Sequence, residues 1–186
     1  MGSEMCIRDR FYSRSIVNPV FASKLFSQFN KSRVFLLNAI DENSPYLVGG
    51  EDRSYEGFGG RSFVNILRYQ YLLDPKSRLG AFATNRLYNG GGYGHSTGLD
   101  GLFLFSNNWR FNFEYTKSFT REPNQDWIDS DARIYGKTVR LDGDNLDGYS
   151  LYMRLYRNTE HWRSYFYYRD ISCLLYTSPS PRDLST

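Results

Sequence analysis

Leu99-Asp-Gly-Leu-Phe-Leu-Phe-Ser-Asn-Asn-Trp-Arg-Phe-Asn-Phe-Glu-Tyr-Thr-Lys117 decides the fold. Alternation of apolar and polar residues on both sides of Asn107-Asn108 predicts two strands. An Asn-Asn pair tolerates the left-handed backbone that a two-residue hairpin loop requires. With that loop Ser106 faces Trp109, Leu104 faces Phe111 and Leu102 faces Phe113 on one side. The other side pairs Phe105 with Arg110, Phe103 with Asn112 and Gly101 with Glu114. One face is greasy and aromatic, the other mixed and charged.

The same design recurs outward from this hairpin. Asn18-Pro19 opens a strand ending near Phe29, where proline's missing N–H costs no ladder bond. Arg33 to Ile40 returns, with a loop at 30–31 or at 31–32. Arg61 to Leu73 and Arg78 to Tyr88 flank the turn Asp74-Pro75-Lys76-Ser77, with proline where a type I turn favours it. Gly148 to Arg157 and His161 to Ser172 form the last hairpin. An even-length turn over Asn158-Thr159 pairs Leu155 with Trp162, Met153 with Ser164, Leu151 with Phe166 and Tyr149 with Tyr168. Its polar side sets Arg154 opposite Arg163 and Tyr156 opposite His161.

Short turns at 30–32, 74–77, 107–108 and near 158–160 alternate with longer, Gly-rich or acidic connections at 41–60, 89–96 and 120–147. A short projecting strand is expected within 134–141. In an antiparallel meander this puts all short turns at one end. Such asymmetry, with strands near the 9–11 residues that cross a bilayer at a tilt, is the pattern of outer-membrane barrels. The fold class expected is therefore all-β: an up-and-down antiparallel meander of about eight long strands, a segment of a transmembrane β-barrel. Leu102, Leu104, Trp109, Phe111, Phe113, Leu151, Leu155, Trp162 and Phe166 are the candidates to face lipid. Arg110, Asn112, Glu114, Arg154, His161 and Arg163 are the candidates to line a lumen. A soluble ligand-binding barrel would instead turn the apolar face into a closed core.

Composition agrees with alternating strands. The chain has 16 Tyr, 14 Phe, 3 Trp and 16 Gly in 186 residues, and its formal charge is +3. Mean hydropathy is −0.57, so aromatic richness here is not that of spanning helices. Basic residues are scattered among acids, without the clustered footprint of a nucleic-acid binder. Both cysteines, Cys6 and Cys173, lie near the ends, which leaves 11–172 without thiolate metal ligands or a cysteine nucleophile.

No catalytic constellation emerges, and no cofactor or metal is expected. Asp142 to Gly148 fails as a calcium loop, because Leu146 and Met153 stand where an EF-hand needs oxygen ligands. Asp126, Asp129 and Asp131 are an acidic cluster on a long loop, the place where a hydrolase would carry paired carboxylates. His95 and His161 have no adjacent ligand set. Asn89-Gly-Gly-Gly-Tyr-Gly94 precedes no helix and so does not read as a phosphate loop.

The segments FYSRSI (11–16), NPVFASKLFSQF (18–29), LLNAIDE (36–42), SRLGAFATNR (77–86), GLDGLFLFSNNWRF (98–111) and 141–172 resemble successive hairpins of an uncharacterised bacterial outer-membrane-type barrel family. There the barrel follows a domain similar to family-9 carbohydrate-binding modules, and some members carry the label membrane-associated hydrolase. Ser15 departs from the second arginine of the entry motif, and 41–60 is longer than usual. The resemblance implies a bacterial outer-membrane location, lipid as the partner of the barrel, glycan contact through an upstream domain, and more strands than these eight. Residues 1–10 and 173–186 resemble translated sequencing-adapter readthrough, leaving 11–172 as an incomplete barrel domain.

Overall fold

The computed structural model describes residues 16–49, 54–106, 108–134 and 137–172. The expectations for 1–10, for the entry segment 11–15 and for 173–186 lie outside the described residues. The elements are all strands: β1 (Pro19–Phe29), β2 (Ser32–Asp41), β3 (Pro45–Gly49), β4 (Ser54–Phe58), β5 (Ser62–Leu72), β6 (Arg78–Tyr88), β7 (Gly92–Ser106) and β8 (Trp109–Arg121). There follow β9 (Asn124–Gln125), β10 (Arg133–Ile134), β11 (Lys137–Thr138), β12 (Leu141–Asp142), β13 (Asn145–Asn158) and β14 (Arg163–Ile171). Eight of them make one antiparallel meander, β1-β2-β5-β6-β7-β8-β13-β14. The sheet is not closed; β1 and β14 are its edges.

The expected eight strands all form, and the first hairpin resolves to a 30–31 loop. Phe29 pairs with Ser32, and Asn30 takes the left-handed turn conformation with φ 49°. The stretch Gly92–Ser96 is strand rather than loop. Only Asn89 to Gly91 turns, with the Gly91 N–H donating to the Tyr88 carbonyl at 3.1 Å. Glycine there supplies the φ of 90° that the tight turn needs. The short-turn/long-loop contrast therefore holds at 42–61 and 122–144 but not between β6 and β7.

Two hairpin registers differ from expectation. In β7–β8 the pairing slips by one residue between Leu104 and Ser106, so Phe103 faces Phe111, Gly101 faces Phe113, Leu104 faces Arg110 and Leu102 faces Asn112. A one-residue slip exchanges the faces of a strand. The bulge at Phe105 lets four rings come together: Phe103 lies 6.5 Å from Phe111, 6.1 Å from Phe113 and 6.3 Å from Phe105, all nearly parallel. Side-chain-free Gly101 leaves room for them, since a Cβ there would sit 2.7 Å from the Phe103 ring. Aromatic pairs of this kind contribute about 0.5–1.5 kcal/mol each beyond their area, enough to favour the bulged register.

In β13–β14 the connection spans 159–162, so Leu155 faces Phe166, Met153 faces Tyr168 and Leu151 faces Asp170. The Thr159 hydroxyl accepts from the Trp162 N–H at 3.0 Å, and the Thr159 N–H donates to the Trp162 carbonyl at 2.8 Å. The longer turn shifts the register by an even number, so face membership survives. Arg154 consequently faces Tyr167, and Arg163 faces Asn158, which removes the expected Arg–Arg clash.

The loops over one end of the sheet fold too. β3 pairs with β4, and the long connection contributes the ribbons β10–β11 and β12–β9, so that in place of one projecting strand over 134–141 there are the two-residue strands β10, β11 and β12. Their apolar residues Tyr46, Ile128, Val139 and Leu141 form a small buried cluster with Tyr55, Tyr88, Trp127 and Ala132 around it. Tyr88 belongs to β6, so this cluster seats the loops on the end of the sheet.

Candidate functional site: the covered face of the sheet

Cross-strand register sorts every residue of the sheet onto one of two faces. Every buried residue with a side chain in the eight strands lies on the same one: Ala39, Asp41, Ser62, Val64, Arg86, Asp100, Thr116, Ser118, Thr120 and Leu146. This covered face is polar through its centre. The opposite face carries Phe21, Leu25, Leu67, Tyr69, Leu79, Leu99, Tyr115 and Phe166 in a broad apolar spread, with Leu99 51% and Phe166 62% exposed. The arrangement is inverted relative to a sheet that buries its greasy side.

The expected site residues distribute as follows. Trp109, Phe111, Phe113, Leu151, Leu155 and Phe166 share the apolar face. Leu102 and Leu104 are on the covered face instead, a consequence of the bulge. Trp162 is in the β13–β14 turn and 76% exposed. Arg110, Asn112, Glu114, Arg154 and Arg163 all point to the covered face, whereas His161 is in the same turn as Trp162.

The centre of the covered face is an ion pair that sequence reading missed. Arg68 on β5 reaches over β6 to Asp100 on β7, with both guanidinium Nη atoms on the two carboxylate oxygens; Nη2 is 2.8 Å from Oδ2. Gly80, between them on β6, makes this possible, because a Cβ there would stand 2.7 Å from Arg68 Nη2 and 2.8 Å from Asp100 Oδ1. Asp100 also lies directly opposite Glu114 on β8. Two carboxylates side by side repel, and Arg68 offsets that. The signal in sequence is a long-range triplet, Arg68-Gly80-Asp100, visible only once three strands are in register.

Charge on this face is one-sided. Lys24, Arg33, Arg68, Arg78 and Arg86 on the first half, and Arg110, Arg154, Arg163 and Arg169 on the second, make nine cations; Asp41, Asp100 and Glu114 are the only acids on it among the described strand residues. Carboxylates of the face itself are too few to pair these cations one to one. Asp41 is itself committed elsewhere, accepting the Asn18 N–H at 2.8 Å and the Val17 N–H at 3.1 Å to anchor the entry to β1.

On the covered face of β13, Tyr152, Arg154 and Tyr156 alternate, and β8 and β14 flank them with further arginines and tyrosines. Arg110, Tyr156 and Tyr165 form one cross-strand row. Asn112, Arg154 and Tyr167 form the next, and Glu114, Tyr152 and Arg169 a third. The Arg154 guanidinium sits 5.7 Å from the Tyr156 ring centre and 5.9 Å from that of Tyr165, in cation–π range of both. Tyr152 and Tyr167 meet edge to face at 5.5 Å.

Among the described residues, the acids of the loops do not assemble a second site. Asp126, Asp129 and Asp131 are exposed, and Asp131 pairs with Arg140 at 2.7 Å. Asp142 accepts the Thr138 hydroxyl at 3.0 Å, and Asp147 pairs with Lys117 at 2.8 Å on the apolar face. No protein-family model, curated protein or solved structure matches this chain.

Proposed function

We propose that this chain is part of a Gram-negative outer-membrane β-barrel of the structural or transport class, its apolar face against lipid and its covered face toward an aqueous lumen. The observation that carries the reading is the contrast between the two faces: large apolar side chains are exposed on one, and every buried side chain of the eight strands lies on the other, most of them polar (Asp41, Ser62, Arg86, Asp100, Thr116, Ser118 and Thr120). Burying that apolar face against acyl chains is worth about 25 cal/mol per Å², whereas in water the same surface is a standing liability. Strands of 9 to 15 residues suit a tilted crossing. The two open edges of the sheet suit a parent barrel that adds strands to β1 and β14, since closure is what removes edges. The family resemblance would place glycan contact in an upstream domain.

The test is site-directed spin labelling of the full chain refolded into lipid vesicles, with labels at Leu67, Leu99 and Phe166 on one face and Ser96, Thr116 and Arg154 on the other. Leu67, Leu99 and Phe166 should be accessible to oxygen and shielded from a water-soluble nickel reagent, and the second set should behave in reverse. The same accessibility on both faces would end the barrel reading.

A further inference from the structure

We propose that the arginine–tyrosine surface of β8, β13 and β14 binds small solutes carrying several oxyanion groups, carboxylates or phosphates. The setting inside a lumen rests on the barrel reading above; the binding chemistry rests on the surface itself.

Strand spacing of about 4.8 Å and a same-face repeat of about 6.8 Å make the three rows a patch on the order of 10 by 14 Å, the size of a small multivalent anion. Three cations within these rows, Arg110, Arg154 and Arg169, and a fourth one row beyond them, Arg163, stand against the one carboxylate Glu114. All four are arginines, whose planar fork bonds two oxygens of a carboxylate or phosphate at once. The Arg154 guanidinium lies within cation–π range of Tyr156 and Tyr165, which face each other in the neighbouring row, and these contacts limit the freedom it loses on binding. A surface with an excess of one sign of charge also concentrates counter-ions before any contact, and rings of arginine and lysine select anions in pores.

The experiment is titration calorimetry of the full chain refolded in detergent with citrate, inorganic tripolyphosphate and, as a neutral control, sucrose, at low and high salt. Either anion binding saturably, more weakly at high salt, with sucrose inert, supports the proposal; citrate alone would assign a carboxylate ligand and tripolyphosphate alone a phosphate. Arg154→Gln should weaken binding about tenfold, the size of one lost charge-assisted contact. Arg154→Lys should recover part of it by keeping the charge without the fork. Arg110→Gln, at an exposed position, provides an independent second loss. Sucrose binding as tightly as citrate, neither anion binding, or Arg154→Gln binding like the parent would each overturn the proposal. The vesicle labels at Leu99 and Phe166 report separately on the barrel. Labels in lipid without anion binding sink this inference alone, and anion binding without labels in lipid sinks the lumen.

Discussion

Arg68 and Asp100 grip each other across an intervening strand, over the bare backbone of Gly80. Their side chains are only 14% and 9% exposed, so either one alone would be a charge held away from water. Asp100→Asn should therefore cost about 3 kcal/mol, the scale of a broken buried pair. Gly80→Ala should cost about 1–3 kcal/mol by pushing the pair apart. Denaturant unfolding of the refolded chain measures both. Equal stability of Asp100→Asn and the parent would mean the pair is solvated.

Trp127 ties the loops together. It lies over Gly57, Gly59 and Gly60, where added Cβ atoms would collide with it, and its ring meets Tyr88 of β6 edge-on at 5.9 Å. Trp127→Ala should loosen the cap without melting the sheet. Hydrogen exchange should speed up in 45–49, 54–60 and 122–142 by about two orders of magnitude, the effect of some 2–3 kcal/mol of lost local packing. Amides of β6 to β8 should keep their protection; if they lose it equally, loops and sheet unfold as one unit.

How far the sequence could be read follows from the range of each signal. Alternation and turn residues are local, so β1, β2, β5 and β6 were visible to within a residue or two. The β7–β8 register was not, because an Asn-Asn turn announces a hairpin but not a bulge. The gain that decides it is ring stacking among Phe103, Phe111 and Phe113, a tertiary effect. The loop cluster was hidden for the same reason: Tyr46, Ile128, Val139 and Leu141 are apolar residues in polar stretches and become a core only when two long loops meet over the end of β6. On the covered face the arginines were individually legible. Their common orientation needed all seven strand pairings.

Asp74 makes the β5–β6 turn sensitive to acid. Its carboxylate accepts the N–H groups of Lys76 and Ser77, each at 2.7 Å. Hydrogen bonding from Ser77 first, then from the Lys76 backbone, holds its pKa below the ordinary 3.8. A depressed carboxylate stabilises the turn at all pH above its unfolded value and loses that contribution as pH falls through the lower folded value. Carboxyl NMR shifts should place the Asp74 midpoint below 3.8. Asp74→Asn, whose amide oxygen still accepts, should keep the turn and abolish the acid dependence of Ser77 amide exchange. A midpoint at or above the ordinary value would remove the linkage.

Leu99 separates membrane from water most sharply. It points to the apolar face midway along β7, opposite Ala81 on one side and Tyr115 on the other, and half of it is exposed. In aqueous solution an arginine at such a position reaches solvent at little cost, within about 0.5 kcal/mol. At the middle of a bilayer the same substitution costs about 2–4 kcal/mol. Leu99→Arg should therefore lower stability by that amount when the chain is folded into vesicles, while Thr97→Arg, one step toward the loop end on the same face, should cost less because the penalty falls toward the interface. Equal and small effects at both positions would show that no hydrocarbon lies against this face.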